Sequence, residues 1–369
     1  MKRCALSVLL IWGCVLFGFS SPAPAGQNLV DAMGRTHALP DRVDRIICSG
    51  SGCLRLVSYL KAGDLVVGVD DIETRKQRFD ARPYALANPR YKTLPVFGGF
   101  RGRDDPEKIL GLDPGPQVIF KTYATMGYDP AELEKKTGIP VVVLEYGDLG
   151  PGRKKLFSAL SLMGRILDRQ ARAEEVIDFF NNEIRALENR TGDASPKKTC
   201  YIGGIAFKGP HGFMSTEPLY PPFEFAGAVN VAAKDMPLGK NLSHTVFSKE
   251  KILTQDPDIL FLDLSTIRMG ERQGGFFELK TDPVFQALTA VAKGNVFGVL
   301  PYNWYTRNFG SVLADAWYVG KVLYPEKFND IDAVKEADRI YSFLLGSSVF
   351  SEMNSQFQHK VFTRLTVRD

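Results

Sequence analysis

The sequence predicts an α/β fold with two Rossmann-like lobes, each built on a mainly parallel sheet and joined by a long α-helix. The first observation is a repeat: Glu-Lys-Ile-Leu occupies residues 107–110 and again residues 250–253, and Asp-Pro follows each copy after two further residues. Each copy then leads into an apolar run, at 118–120 and at 259–262. Apolar residues at helical spacing followed by Asp-Pro predict a short helix and its end, and the apolar runs predict buried parallel strands. The length of 369 residues also suffices for two domains.

The N-terminal residues have the layout of a secretory signal peptide. Two basic residues precede an apolar run at 5–19, and Ala-Pro-Ala at 23–25 fits the pattern of a cleavage site. The apolar run is too short for a membrane span, which needs about 20 residues. We therefore predict a signal peptide at residues 1–25 and an exported, soluble protein that begins at Gly26. A lipoprotein acylated at Cys14 is the alternative.

Residues 26–167 are predicted to form the N-terminal lobe. Gly34 lies between two short β-prone runs and indicates a small hairpin near the start of the lobe. Apolar residues at helical spacing predict a helix at 53–60. Continuous apolar runs predict buried strands at 45–48, 65–70 and 140–145.

Two helical patterns without proline, at 153–167 and at 168–190, follow the last strand of that lobe. The polar stretch 191–198 ends the second pattern and indicates a lobe boundary. We therefore assign residues 168–193 to the linking helix and residues 194–369 to the C-terminal lobe. The sequence leaves open whether the linking helix is continuous.

Five segments resemble the periplasmic substrate-binding proteins of iron-siderophore and cobalamin-type ABC transporters, a class whose two lobes are joined by a helical backbone. They are VDAMGRTHALPDRVDRII (30–47), VVGVDD (66–71), GGFRGRDDPEKILGLDPGPQVIF (98–120), SKEKILTQDPDILFLD (248–263) and NVFGVLPYNWYTRNFGSVLADAWYVGKVLYPEKF (295–328). These segments occur along the chain in the same order as in the family. It implies a ligand held between two lobes, no enzymatic activity and delivery to a membrane permease.

The candidate ligand site consists of loops at the carboxyl ends of the predicted strands, where open α/β sheets bind their ligands. These loops carry aromatic rings and cationic side chains, which suit a bulky anionic or π-rich ligand. The alternative for each residue is packing against its own lobe. We expect alanine at Tyr302, Trp304 or Arg307 to weaken ligand binding and leave the fold intact. The predicted ligand-binding residues are Arg101, Tyr123, Lys208, His211, Arg268, Tyr302, Asn303, Trp304, Tyr305 and Arg307.

The residues indicate no catalytic constellation, no metal site and no cofactor. The histidines are scattered and form no pair at metal-binding spacing; they are His37, His211, His244 and His359. A formal net charge of +4 argues against nucleic-acid binding. A disulfide between Cys48 and Cys53 would strain the turn between strand and helix, so we favour buried thiols there while leaving the disulfide open.

The predicted function is capture of a chelated metal, a ferric siderophore in the first place, in the periplasm. Corrinoid, haem or an oxyanion such as molybdate are alternative ligands, and an exported enzyme or cofactor-insertion protein is the alternative of another class. The expected partner is a dimeric ABC permease, and the protein is expected to be a monomer. In the resembled family, glutamates at the positions of Glu107 and Glu250 form salt bridges with the permease. The simpler interpretation is that both glutamates only stabilise the starts of their helices.

Overall fold

The structure, a computed structural model, describes residues 27–194, 197–235 and 244–368, so the predicted signal peptide lies outside the described residues. The strands are β1 (Gln27–Val30), β2 (Thr36–Leu39), β3 (Ile46–Ser49), β4 (Val66–Asp70), β5 (Val96–Gly99), β6 (Arg103–Asp104), β7 (Val118–Thr122), β8 (Val141–Leu144), β9 (Thr199–Gly203), β10 (Ser215–Thr216), β11 (Val229–Asn230), β12 (Thr245–Val246), β13 (Ile259–Asp263) and β14 (Val296–Val299).

The α-helices are α1 (Cys53–Tyr59), α2 (Asp71–Thr74), α3 (Pro83–Ala87), α4 (Pro106–Leu110), α5 (Pro130–Thr137), α6 (Arg153–Ile166), α7 (Gln170–Thr191), α8 (Pro221–Phe225), α9 (Lys249–Gln255), α10 (Gly275–Thr281), α11 (Pro283–Gln286), α12 (Thr289–Ala292), α13 (Phe309–Leu323), α14 (Ala333–Leu345) and α15 (Phe350–Gln356). Short 3₁₀ helices occupy Gly63–Leu65, Pro89–Thr93, Val231–Asp235 and Leu264–Met269.

Two mainly parallel sheets form the frame, as the sequence predicts. The first has the strand order β6-β5-β4-β3-β7-β8, and only the short β6 runs antiparallel. The second has the order β11-β9-β13-β14 and is parallel throughout. Four neighbouring strands of the first sheet follow the same order as the four strands of the second, since β4-β3-β7-β8 corresponds to β11-β9-β13-β14. The sequence repeat is therefore part of a similarity in topology between the two whole lobes.

Each copy of the repeat forms a short helix followed by an inner strand of its sheet. The first copy lies in α4 and leads to β7, and the second lies in α9 and leads to β13. Both helices begin with a side-chain cap: Asp105 accepts hydrogen bonds from the amides of Glu107 and Lys108, and Ser248 accepts one from Lys251. Successive residues of β3 and β7 point to opposite faces of the pleated sheet, and both faces are buried: Ile46 and Val118 belong to the main core, and Ile47 and Ile119 belong to a smaller cluster.

The predicted hairpin at the N-terminus is confirmed as β1 and β2, with Gly34 in the turn at φ 77°. The buried carboxylate of Asp31 shapes this turn by accepting hydrogen bonds from the amides of Met33 and Arg35 at 2.9 Å each. The backbone amide of Ala32 donates to the carbonyl of Val143 at 3.1 Å, which fixes the hairpin to β8.

The helical stretch between the sheets is divided. The helix α6 ends at Ile166, and α7 begins at Gln170 after Asp168 adopts a left-handed backbone with φ 53°. The helix that leads to the second sheet is therefore α7 alone. It is tied to the C-terminal helices: Glu183 accepts hydrogen bonds from Trp317 Nε1 at 2.8 Å and from Arg339 Nη2 at 2.6 Å.

One hydrophobic core runs through both lobes. Its members extend without interruption from Leu29 in the hairpin to Val367 near the C-terminus. The C-terminal helix α14 contributes to this continuity, because it packs on α13 and also contacts α1 and α3 of the N-terminal lobe. Helix α7 joins the same core through a stacked pair of rings, Phe179 and Phe343, whose centroids lie 4.0 Å apart.

The three cysteines within the described residues are free, buried thiols, so Cys48 and Cys53 do not form a disulfide. Burial raises the pKa of the Cys48 thiol well above its ordinary value. None of the helices in the described ranges combines the length and the hydropathy that a bilayer crossing requires.

Candidate functional site

A cavity of about 730 Å³ lies at the carboxyl ends of the strands of both sheets. Strands of both sheets lead into it: Ser51 follows β3, Arg101 follows β5, Tyr123 follows β7, Arg268 follows β13 and Arg307 follows β14. The cavity is therefore where the strand-end rule places a ligand, with side chains from both lobes around it.

Eight of the ten predicted ligand-binding residues line this cavity, and two do not. The two exceptions are His211 and Tyr302. The structure thus brings residues from loops more than 200 positions apart around one space. The lining residues that the sequence predicted are Arg101, Tyr123, Lys208, Arg268, Asn303, Trp304, Tyr305 and Arg307.

Strained backbone is concentrated around the cavity. A left-handed backbone is uncommon for residues other than glycine, and outliers of this kind cluster at functional sites. Five such residues line the cavity, in four different loops. They are Arg101 (φ 63°), Tyr123 (φ 54°), Lys208 (φ 56°), Tyr305 (φ 52°) and Thr306 (φ 63°).

Cationic side chains from both lobes face the cavity without a carboxylate partner. Arg101, Lys208 and Arg268 form no ion pair with any carboxylate in the described part of the chain. The Arg268 guanidinium lies over the Trp304 ring, 4.4 Å from its centroid, and partial burial lowers its pKa although the charge of Asp80 acts in the opposite direction without forming an ion pair. A charge that is partly desolvated and unpaired gains when an anion arrives, so the cavity favours a negatively charged ligand.

Arg307 differs from these cations because carboxylates of both lobes already neutralise it. Its Nη2 lies 3.0 Å from Glu217 Oε1, and its Nη1 lies 3.3 Å from Asp148 Oδ2. Burial raises the pKa of the Glu217 carboxyl to about 7, although Arg307 and the Tyr302 hydroxyl act in the opposite direction. Arg307 therefore joins the two lobes beside the cavity, and it is less available to an incoming anion than Arg268.

Tyr302 does not line the cavity. Its ring is fully buried, its hydroxyl donates to Glu217 Oε2, and it packs 5.6 Å from the ring of Tyr220. The prediction that alanine at this position leaves the fold intact assumed an exposed side chain, whereas the ring is buried. We therefore expect the substitution to lower stability, because it would empty a core site and remove a partner of a buried carboxylate. Trp304 is also largely buried, with 7% of its surface exposed, but its ring borders the cavity.

His211 lies beside the cavity rather than in its wall. Its Nε2 is 2.7 Å from the carbonyl oxygen of Phe207, and its ring lies 5.3 Å from that of His244. The loop that carries it still contributes through Phe207 and Lys208, which line the cavity. The described residues contain no group of three or more histidine, cysteine or acidic side chains that could hold a metal ion.

Sequence reasoning missed a second cationic group of the N-terminal lobe, Arg75 and Lys76, which also line the cavity. The same strand-end rule could have found them, because they lie in the polar stretch 71–82 that follows β4, just after the short helix α2. It also missed Arg55, which does not touch the cavity and lies within the apolar face of α1, where no sequence pattern marks it.

Glu107 and Glu250 occupy equivalent places in the two lobes. Each is the second residue of its short helix, and both side chains are exposed. An exposed leucine follows three residues later on each helix, Leu110 with 57% and Leu253 with 40% of its surface exposed. The two lobes therefore present the same pairing of a carboxylate with an apolar side chain.

The family model for periplasmic binding proteins matches residues 46–301, which span strands of both sheets and most of the cavity wall. The chain belongs to the periplasmic binding protein family. Members of this family are binding proteins rather than enzymes, and in ABC transporters they deliver small ligands to a membrane permease.

Relatives of this periplasmic binding protein carry different ligands. It is 24% identical over 359 residues to the molybdate-binding protein MolA of Haemophilus influenzae, covering 90% of this chain and 94% of MolA. It is 24% identical over 277 residues to a cobalamin-binding protein of Halobacterium salinarum, covering 73% of this chain and 66% of that protein.

Solved structures show the same fold. The structure of MolA bound to molybdate superposes with a TM-score of 0.64 at 20% identity, covering 87% of this chain and 98% of MolA. The TroA-like periplasmic binding protein FepB from Veillonella parvula gives a TM-score of 0.65 at 18% identity, covering 87% of this chain and 97% of FepB.

Proposed function

We propose that this protein captures an anionic metal chelate, a ferric siderophore with acidic donor groups, and delivers it to an ABC permease. The observation that carries the proposal is a cavity of about 730 Å³ whose wall combines unpaired cations with aromatic rings. Cavities of roughly 300–1,000 Å³ suit ligands of drug-like size, and a metal chelate falls in this class. Aromatic faces such as those of Trp304 and Phe100 would contact the organic part of the chelate, while Arg101, Lys208 and Arg268 would face its anionic groups.

An oxyanion such as molybdate is the second candidate. The similarity to MolA along most of both chains favours it, and so do the unpaired cations. The size of the cavity favours the chelate, because a bare tetrahedral oxyanion would leave much of the space to water. A corrinoid has less support from the geometry, since it offers few anionic groups for these cations.

Haem ligation has no support from the positions of the three side chains that could provide it. Tyr302 is buried against Glu217, and His211 lies outside the cavity wall. Tyr305 borders the cavity, but its hydroxyl donates to Asp70 Oδ2 and accepts a hydrogen bond from the Arg101 amide at 3.0 Å. An iron ligand at Tyr305 would have to give up both bonds.

Tryptophan fluorescence during titration tests the choice of ligand. The ferric complex of a hexadentate tris-catecholate, a neutral ferric trihydroxamate, sodium molybdate and haemin are added separately to the ligand-free protein. We expect the anionic chelate to bind most tightly and to quench Trp304, with the signal lost in Trp304→Phe and kept in Trp317→Phe. Tight binding of molybdate with none of the chelates would replace the first candidate by the second, and binding of none of the four would contradict the proposed function.

The proposed docking surface consists of Glu107 and Glu250 on the two lobes. Both carboxylates are exposed at matching points of two similar lobes, so a permease dimer with a basic residue opposite each one would contact both lobes at once. The N-terminus proposed at Gly26, after removal of a signal peptide, agrees with a periplasmic binding protein and is checked by N-terminal sequencing of the exported protein.

A further inference from the structure

We propose that Arg55, a residue outside the cavity, positions the ligand-binding loop 302–308 from the opposite lobe. This inference deepens the proposed function and rests on the ligand site described above. Arg55 lies on α1 in the N-terminal lobe and is fully buried. The loop, called here the bridging loop, belongs to the C-terminal lobe and supplies five residues of the cavity wall, 303–307.

The guanidinium of Arg55 makes most of its hydrogen bonds to backbone carbonyls of the bridging loop. Its Nη1 donates to the carbonyl of Arg307 at 2.7 Å, and its Nη2 donates to those of Trp304 and Tyr305 at 3.3 Å each. Three carbonyls from one loop thus converge on one planar side chain. The geometry suits arginine and not lysine, because only the fork of five N–H groups can reach several acceptors at fixed angles.

Tyr146 completes this contact from a second element of the N-terminal lobe. Arg55 Nη1 donates to the Tyr146 hydroxyl, which in turn donates to the carbonyl of Arg307 at 2.7 Å. The rings of Tyr84 and Tyr146 flank the guanidinium, with centroids 5.0 Å and 5.8 Å from its central carbon. The buried charge is therefore held by carbonyls, a hydroxyl and two aromatic faces, and no carboxylate is among its hydrogen-bond partners within the described residues.

The bridging loop needs this support because its own backbone is strained. Tyr305 and Thr306 both have left-handed φ angles, 52° and 63°, and the carbonyls that Arg55 binds belong to residues 304, 305 and 307 around them. Within the loop, the Asn308 side chain donates to the carbonyls of Tyr302 and Trp304, which closes the turn but does not fix it to the N-terminal lobe. Arg55 and Tyr146 attach the backbone of the loop to that lobe, beside the side-chain contacts of Tyr305 with Asp70 and of Arg307 with Asp148.

The position of the bridging loop decides where several ligand groups point. The Arg268 guanidinium lies over the Trp304 ring, and the Tyr305 hydroxyl accepts a hydrogen bond from the backbone amide of Arg101. A shift of the loop would move cationic and aromatic groups of both lobes together. Arg55 is thus a positioning residue for the site, although it does not line the cavity.

The test compares Arg55→Lys with Arg82→Lys. Arg82 is also buried in the N-terminal lobe, but it bonds to Asp80 and Glu73 and makes no hydrogen bond to the bridging loop. The ligand-free proteins carry 5-fluorotryptophan, and ¹⁹F NMR follows Trp304, assigned with Trp304→Phe, with Trp317 as the internal control. Hydrogen exchange reports on the amides of residues 302–308.

We expect Arg55→Lys to shift or broaden the Trp304 resonance and to speed exchange in the bridging loop, while Arg82→Lys leaves both unchanged. A folded Arg55→Lys protein with an unaltered Trp304 resonance and unaltered exchange would overturn the inference, and so would equal changes in Arg82→Lys. If Arg55→Lys does not fold, Tyr146→Phe decides the question by the same two measurements.

Ligand binding is measured separately with the ferric tris-catecholate. Loss of the carbonyl contacts should weaken binding by about ten-fold in Arg55→Lys, because hydrogen bonds that hold the site are lost. If the wild-type protein does not bind this probe, the proposed function fails, while the NMR and exchange results still decide the role of Arg55. Unchanged affinity together with a displaced loop would show that the loop does not contribute to binding, and would overturn the inference.

Discussion

At the scale of single residues, the unpaired cations of the cavity wall are the side chains on which ligand selection should depend. We expect Arg268→Ala and Lys208→Ala each to weaken binding of an anionic ligand by about ten-fold, since a hydrogen bond to a charged group contributes about 1.5–3 kcal/mol. Isothermal titration measures the dissociation constants. Lys293→Ala, which removes an exposed cation that does not line the cavity, serves as the control. Equal affinity in all three variants would show that these cations do not contact the ligand.

Buried carboxyls should make the stability of the protein depend on pH. Burial raises the pKa of Asp263 to about 7 from an ordinary value of 3.8, and its Oδ2 has no hydrogen-bond partner. The folded protein therefore holds a proton on Asp263 that the unfolded chain releases, so stability falls as the pH rises from about 4 to 7 and is constant above that range.

The free energy of unfolding of the wild type should fall between pH 5 and pH 8. We expect this fall to be smaller by about 2 kcal/mol in Asp263→Asn, because the variant lacks the titrating carboxyl. Urea unfolding at both pH values measures it. Asp258→Asn is the control, because the pKa of Asp258 is lowered by hydrogen bonds from Thr199 and its stabilising effect is complete above pH 5. A pH dependence that is identical in the wild type and in Asp263→Asn would contradict the assignment.

The sequence predicted which loops form the site better than which side chains face it. Strand ends can be read from apolar runs, and the carboxyl ends of parallel strands meet in space, so eight of the ten predicted residues lie in the cavity wall. Tyr302 could not be separated from Trp304 in this way, because the direction of a side chain in an irregular loop depends on the contacts of that loop. Arg55 could not be found because its partners are backbone carbonyls about 250 residues away.

At the scale of elements, the repeat and the apolar runs predicted the order of helices and strands. The sequence also indicated two helical patterns that meet at residues 167 and 168, and left open whether they form one continuous helix. Residues 153–190 contain no proline, so the sequence alone could not decide this question. The structure places a break at residues 167–169, and Gly164 lies just before it, where α6 and α7 come close together. An alanine Cβ at Gly164 would lie 2.8 Å from the Cβ of Ala173.

We expect Gly164→Ala to lower the free energy of unfolding by about 1–3 kcal/mol, because overpacking would push the two helices apart. Gly111→Ala is the matched control: its added Cβ would meet only ordinary contacts at 3.4 Å or more. Thermal melting followed by circular dichroism compares both with the wild type. Equal melting temperatures for the two variants would show that the contact between α6 and α7 tolerates an extra methyl group.

At the scale of the whole molecule, the matching strand orders of the two sheets give the docking proposal its basis. We expect the double variant Glu107→Ala with Glu250→Ala to bind ligand normally and to lose permease-dependent transport. Dissociation constants and ligand-stimulated ATPase activity of the reconstituted transporter measure the two properties. Glu132→Ala with Glu352→Ala, which removes one acid from each of two other helices, is the control for charge. Normal transport by the first double variant would leave both glutamates as stabilisers of their helix starts.

The continuous core has a consequence for the independence of the two lobes. The core passes from one lobe into the other, and α14 covers α1 and α3 although it comes from the far end of the chain. We therefore expect that neither lobe folds on its own, although the two lobes have similar strand orders. Scanning calorimetry should show one transition whose calorimetric and van't Hoff enthalpies agree. Replacing one lobe by that of a relative would require α14 and the helices that it contacts to be replaced together. The pair of lobes, and not the single lobe, is therefore the unit that can be exchanged.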